Sequence, residues 1–343
     1  MADAHGKYKK IILHKQAFII LLFIAMILCF CMDLVTGASN LSVGEIINIL
    51  FHPDSVPSKT YTIVWVIRMP VAIMAILVGA GLSVSGMEMQ TILNNSLASP
   101  YTLGISSAAS FGAALSLVLG YIFLPENLQN FVTPIFAFAF SLGASLIIFY
   151  VSKLKRDRSA IILSGIAVNF LFTALNSIFT FFVSDDVLRG ITNWSYGTLI
   201  GAKMDECLIV FTVLCVCVPL LFRESWKLTS LSMGDSTAKA LGVNVERLRT
   251  KILVLVSMIT AISVCFVGTI GFIGLVAPYI AKRGVGEDQR FRVPASLMFG
   301  ALLLSLSSLM SKMNFFGIYL PISLITSLIG IPFLLLLILE KKS

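Results

Sequence analysis

Between positions 160 and 183, Asn169, Thr173, Asn176 and Thr180 recur at steps of four, three and four. On a helix that spacing aligns two amides and two hydroxyls on one face, opposite Leu171, Leu175, Ile178 and Phe182. An uncharged polar row cleaves nothing. It can line a water-accessible pathway, or it can bond to a neighbouring helix. The reactive side chains elsewhere are scattered. Cys29, Cys31, Cys207, Cys215, Cys217 and Cys265 lie in or beside apolar runs with no C-x-x-C spacing, which predicts small core thiols and no metal site. His5, His14 and His52 form no H-E-x-x-H, and no G-x-x-x-x-G-K-[ST] loop is present to hold a nucleotide. This pattern argues against hydrolytic or phosphoryl chemistry within the chain, and no cofactor is expected on it.

Acidic residues are almost absent from the apolar segments. Of seventeen Asp and Glu, only Asp33 and Glu88 fall within or at the edge of one. Asp33 lies at the end of its run and Glu88 near the inner end of its own, so both are expected at an interface and not in the mid-membrane relay that proton- or sodium-coupled carriers use. Nor does any charged ring mark an ion filter. A protein of this kind that moves a solute uphill would draw its energy from a partner.

These residues must be positioned by a membrane-embedded bundle. The chain is 57% hydrophobic and 12% charged, with a mean hydropathy of +0.96, whereas soluble domains carry about 25% charged residues. Ten apolar runs stand out: 17–35, 63–86, 104–124, 131–152, 160–183, 207–222, 251–269, 271–283, 292–311 and 318–339. The fold class is therefore all-α and polytopic, a single transmembrane domain over 1–343. The first run is long enough to span, at ~20 residues, and is read as a membrane helix. The eighth is too short to span alone and is expected to be half-inserted or continuous with its neighbour. Placing both termini inside puts twenty of the 25 lysines and arginines on the inner side, leaving Lys59, Arg68, Arg189, Lys203 and Lys312 outside. That asymmetry also accounts for the net charge of +8 without nucleic acid.

Three connecting segments carry further signals. The outer segment 185–206 contains Asn193-Trp194-Ser195-Tyr196-Gly197 and reads as a short interfacial helix with aromatic anchors. In the inner segment 223–251, Asp235 or Ser236 can cap a helix over 237–241 that Gly242 terminates, and a second short helix is expected to lead into the seventh span. The stretch 68–104 joins a small-residue helix around Gly79 and Ser83 to an uncharged loop, Asn94, Asn95, Ser96, Leu97, Ala98, Ser99 and Pro100. Lacking Lys and Arg, that inner loop is read as a packed or gating element.

The stretches Arg68-Met69-Pro70, Leu97-Ala98-Ser99-Pro100 with Leu103-Gly104-Ile105-Ser106, 234–242, GTIGFIGLVAP (268–278), Leu320-Pro321 and Gly330-Ile331-Pro332 occur in family order along most of the chain. In them the chain resembles the FecCD-type permease subunits of bacterial importers for iron siderophores and cobalamin. The resemblance implies the type II ABC importer architecture in a bacterial cytoplasmic membrane: ten transmembrane helices per subunit and two permease subunits around one pathway. It further implies two cytoplasmic ATPase subunits that hold the ATP and Mg, an extracytoplasmic binding protein and a ferric chelate as cargo, with haem or cobalamin behind it. Gly234, Asp235, Lys239, Ala240, Leu241 and Gly242 would form the coupling helix seated in the ATPase, and Arg68 and Lys312 would be outward docking cations for the binding protein. The chain also departs from the family pattern. Arg-x-Pro-Arg reads Arg68-Met69-Pro70-Val71, Arg-Asn-Pro-Leu-Ala reads Asn94-Asn95-Ser96-Leu97-Ala98, Pro-His reads Pro278-Tyr279, and Asp-x-x-x-Arg ends at Lys312. The lost docking arginine makes a paralogous heterodimer an alternative to a homodimer.

Overall fold

The structure is a computed structural model that describes residues 2–37, 39, 41–52, 57–123, 126–155, 158–313 and 320–340. Arg156, Lys341 and Lys342, which enter the charge asymmetry, position 124 of the third run, and positions 318 and 319 of the tenth run lie outside the described residues.

The chain runs through α1 (Ala2–Val35), α2 (Val43–Phe51) and α3 (Ser58–Tyr61), then a π-helical stretch (Thr62–Arg68) that continues into α4 (Met69–Leu93). There follow α5 (Ile105–Phe123), α6 (Glu126–Lys155), α7 (Arg158–Phe182), α8 (Asp185–Ser195), α9 (Met204–Arg223), α10 (Ser225–Ser232) and α11 (Asp235–Ala240). The last four are α12 (Val245–Val267), α13 (Ile273–Val285), α14 (Gln289–Lys312) and α15 (Ile322–Glu340). A helix stands at each of the ten apolar runs. Among the described residues, seven helical segments are long and apolar enough to cross a bilayer, and Ile105–Leu119 and Ile322–Leu335 are shorter apolar helices. The eighth run, α13, is not continuous with α12: Gly268 ends α12 at φ 75°, and Phe272, at φ 65°, precedes α13.

α4 is the axis of the bundle, with most of its residues buried. Its small residues make this possible, because helices in lipid associate through close packing. Gly79 meets the backbone of Gly300 on α14, Gly81 meets Ser263 on α12, and Gly86 meets the backbone of Gly274 on α13. Polar contacts reinforce the first of these seams: Ser83 Oγ donates to Ser296 O at 2.7 Å. α5, α6 and α7 pack on one side, and Phe111 of α5 sits among Phe140, Phe172 and Phe179. α1 covers α14 on the other side.

The two acids of the apolar runs, Asp33 near the end of α1 and Glu88 near the end of α4, are fully buried within the protein. Asp33 accepts from Ser308 and pairs with Lys312, whereas neither carboxylate oxygen of Glu88 has a hydrogen-bond partner among the described residues.

Candidate functional site

Thr173, Asn176 and Thr180 of α7 line a cavity of about 340 Å³. The facing wall comes from Ser107 and Ser110 on α5, Ser195 at the end of α8, and Tyr101 and Thr269 in connecting segments. A chain of hydrogen bonds fixes that wall. Asn176 Nδ2 donates to Ser110 Oγ at 2.9 Å, the Ser110 and Ser195 hydroxyls are hydrogen-bonded to each other at 2.9 Å, and Thr269 Oγ1 donates to Ser195 O at 2.6 Å. Asn169, the fourth residue of the row, lies outside the lining and accepts from Ser107 Oγ. Within the row, the two asparagines tie α7 to α5 and two threonines face the cavity. No charged side chain lines this space among the described residues. Asn176 Oδ1 is buried and lacks a partner there, an acceptor whose desolvation is uncompensated.

The loop after α4 ends next to Tyr101, which lines this cavity, whereas Asn94, Asn95 and Ser96 line a separate pocket with Tyr279 and Arg292. Asn94 ends α4 in the left-handed region at φ 47°, and Asn95 Oδ1 accepts from Leu97 N at 3.0 Å to close an Asx turn. Ser99 N donates to Thr102 Oγ1 at 2.9 Å, opening the turn that starts α5. Ala98, Ser99 and Pro100 are buried, while Asn94, Ser96 and Leu97 are exposed and Asn95 is half-buried. At Gly104, φ 77° and the close approach of the Asn169 backbone both exclude a side chain. The segment between the loop and α5 is thus packed against α7 at Gly104.

At the same end of the bundle, α11 projects between Gly234 (φ 109°) and Gly242 (φ 80°). Ala238 anchors it, and Lys239, Ala240 and Leu241 are exposed. Two expectations are corrected here. The helix begins at Asp235 and not at 237, because the Asp235 carboxylate is not a cap: it takes two bonds from Arg249 Nη2, at 2.7 and 2.8 Å. The second short helix, α10, precedes α11, and α12 starts at once behind the Asn244 cap, which accepts from Arg247 N at 3.0 Å. Glu224, buried at the start of α10, accepts from Lys227 at 2.6 Å and Lys251 at 2.5 Å. Those hydrogen bonds hold its carboxyl below the usual carboxylate range.

The FecCD transport family profile matches residues 24–340. The chain belongs to that family. It is 34% identical to the hemin transport system permease protein of Yersinia pestis over 81% of this chain and 84% of that one. It is 29% identical to the molybdate import system permease protein of Haemophilus influenzae over 89% and 90%. Among solved structures, an inward-facing transporter of the metal-chelate ABC type superposes with a TM-score of 0.83 at 26% identity, covering 95% of this chain and 99% of the other. The protein is a multi-span permease subunit of an ABC importer, with a transport role and no catalytic one.

In this FecCD permease the two expected docking cations are not free at a rim. Arg68 is buried, donating to the carbonyls of Leu34 and Val35 at 2.8 Å and of Ser39 at 2.6 Å. Lys312 pairs with Asp33 at 3.0 Å and is largely covered. A guanidinium in a dry site takes backbone acceptors when they are within reach, and the 34–39 turn supplies three. The pair thus fastens α1 to α4 and α14. The sequence reading missed Tyr101, Ser107, Ser110, Ser195 and Thr269. Ser107 and Ser110, three apart on α5, carry the same signal as the α7 row, and Ser195 stood within the aromatic outer segment.

Proposed function

We propose that this permease carries an intact ferric siderophore from an extracytoplasmic binding protein to the bacterial cytoplasm by alternating access. It pairs with a second permease subunit, identical or paralogous, and two cytoplasmic ATPase subunits supply the energy. The observation that carries this reading is the cavity walled by threonine, serine and asparagine, with no carboxylate, His or Cys in its lining among the described residues. Such a wall can hydrogen-bond the oxygen-rich exterior of a chelate without competing for its metal.

The remaining roles follow from position. The exposed face of α11 around Lys239 and Leu241 seats in the ATPase. Closure of the ATPases then rotates α11 with α12 as a rigid unit, and the 94–100 loop gates the inner mouth of the pathway. The binding protein docks at the opposite end, where Arg68 and Lys312 set the shape of the rim through α1, α4 and α14 without meeting acidic partners directly.

Uptake by the complex reconstituted in vesicles tests the proposal, with a ferric siderophore, hemin and cobalamin offered separately on their binding proteins. ATP-dependent entry of the siderophore with its chelator attached is the expected result. Entry of hemin or cobalamin alone would move the cargo within the family. The hemin permease relative makes hemin the second reading.

A further inference from the structure

A second cavity, about 400 Å³, opens at the end of the bundle that carries α11, between the last turn of α6, the start of α7 and the start of α12. Its charged lining is Lys153, Arg247, Arg249 and Lys251 with one carboxylate, Glu246, and its apolar wall includes Phe149 and Ile161. Three of these cations lie in the first two turns of α12, at the end where the helix dipole is positive and cations are disfavoured. Two are matched: Arg249 by Asp235 and Lys251 by Glu224. Arg247 and Lys153 have no acidic partner within 4 Å among the described residues, and both are exposed. Beside the cavity the exposed surface of α6 and α7 is apolar, with Tyr150, Leu154 and Leu163 more than 60% accessible.

The geometry points to a binding site for the phosphate of an anionic phospholipid, with Lys153 and Arg247 on the headgroup and an acyl chain along the α6–α7 surface. Lys153 and Arg247 exceed the remaining carboxylate of the lining, Glu246, by one positive charge, which a phosphodiester between the two cations balances. Basic pockets between membrane helices on the cytoplasmic side suit this ligand chemistry. The apolar wall favours a lipid over a free phosphate, which would gain nothing from Phe149 and Ile161. It also favours a lipid over an acidic segment of a partner protein. The inner placement rests on the topology read from the charge asymmetry, whereas the ligand chemistry rests on the cavity alone.

The test uses the full-length chain, purified in neutral detergent and delipidated. Its Tm is measured with phosphatidylglycerol, phosphatidylcholine or inorganic phosphate, and the retained lipid is counted by native mass spectrometry. Phosphatidylglycerol is expected to raise Tm by several degrees and to stay bound. Phosphatidylcholine and inorganic phosphate should leave Tm unchanged. Lys153→Ala/Arg247→Ala should lose both the shift and the retained lipid, while Lys153→Arg/Arg247→Lys, which keeps the charges, should retain them. An equal shift in the alanine variant would overturn the site. So would an equal response to inorganic phosphate, which would assign a free anion. Loss of ATPase co-purification in the alanine variant, with lipid response intact, would assign the cations to the protein partner instead.

Discussion

Arg249 grips Asp235 with two hydrogen bonds from one nitrogen, at 2.7 and 2.8 Å, and with its Nε donates to Ile92 O at 2.8 Å. One buried guanidinium thereby joins the projecting helix α11, the root of α12 and the last turn of α4, two residues before the 94–100 loop. A displacement imposed on α11 has a bonded route to the loop and, through Gly104 and Asn169, to the cavity helix α7. Removing the carboxylate leaves the guanidinium buried and unpaired, at a cost of about 3 kcal/mol. Asp235→Ala is therefore expected to lower the Tm of the purified permease and to reduce uptake, with binding-protein association unchanged. Asp235→Glu should recover part of both.

Loss of cargo transit without loss of fold should follow from filling the cavity. Thr173 is exposed to it, so Thr173→Trp can be accommodated by the permease while narrowing the space. Uptake is expected to fall about tenfold or more, the scale set by displacing polar contacts worth ~1 kcal/mol each with a steric block. Circular dichroism and size exclusion should match the parent. Undiminished uptake would place the pathway elsewhere.

The Asp33–Lys312 pair near Arg68 predicts a double-mutant signature. Asp33→Asn or Lys312→Met alone strands a buried charge and should each cost about 3 kcal/mol. The double variant should cost less than the sum, because neither charge remains. Thermal denaturation of the four proteins in one detergent measures the coupling. Additive losses would mean that the pair is not formed.

Acid sensitivity should trace in part to Glu224. Lys227 and Lys251 lower its pKa in the folded state, so the group binds fewer protons folded than unfolded near its ordinary pKa of about 4.3. Its contribution is present above that pH and is lost as the pH falls through the lowered folded value. Tm measured downward from pH 6 should drop, and Glu224→Gln should flatten the part of the drop that lies below about pH 4.3. A parallel curve for the variant would contradict the assignment.

Close packing along α4 makes a sharper claim about glycine. A methyl at Gly86 would fall on the carbonyl of Gly274, whereas one at Gly143 meets nothing within 4 Å. Gly86→Ala must push α13 from α4 and should cost at least ~2 kcal/mol. Gly143→Ala should be neutral or slightly stabilising. Yield and Tm of the two variants side by side decide the point.

The bundle was legible from hydropathy because each apolar run is separated from the next by polar or glycine-containing turns, and all ten became helices. The α7 row was legible because its period is local. The burial of Arg68 was not, since its acceptors lie some thirty residues upstream and all but Ser39 Oγ are backbone carbonyls, which carry no side-chain signal. Asp235 was misread as a cap for a related reason: a carboxylate at a helix start suits either the first N–H groups or a cation, and Arg249 lies fourteen residues away. Glu88 shows the same limit, because its depth is set by α4 lying at the centre of the bundle. Because its carboxylate has no hydrogen-bond partner among the described residues, Glu88→Gln is expected to leave the Tm of the purified permease nearly unchanged.

The central claim is that α11 transmits ATPase motion to a hydroxyl-walled pathway. Leu241, 52% accessible at the tip of α11, offers the most direct measurement. Leu241→Asp in the reconstituted complex should leave cargo delivery by the binding protein intact. ATP-driven uptake should fall about tenfold or more, the scale of a coupling free energy of ~1–3 kcal/mol. Uptake at the parental rate in that variant would contradict the account.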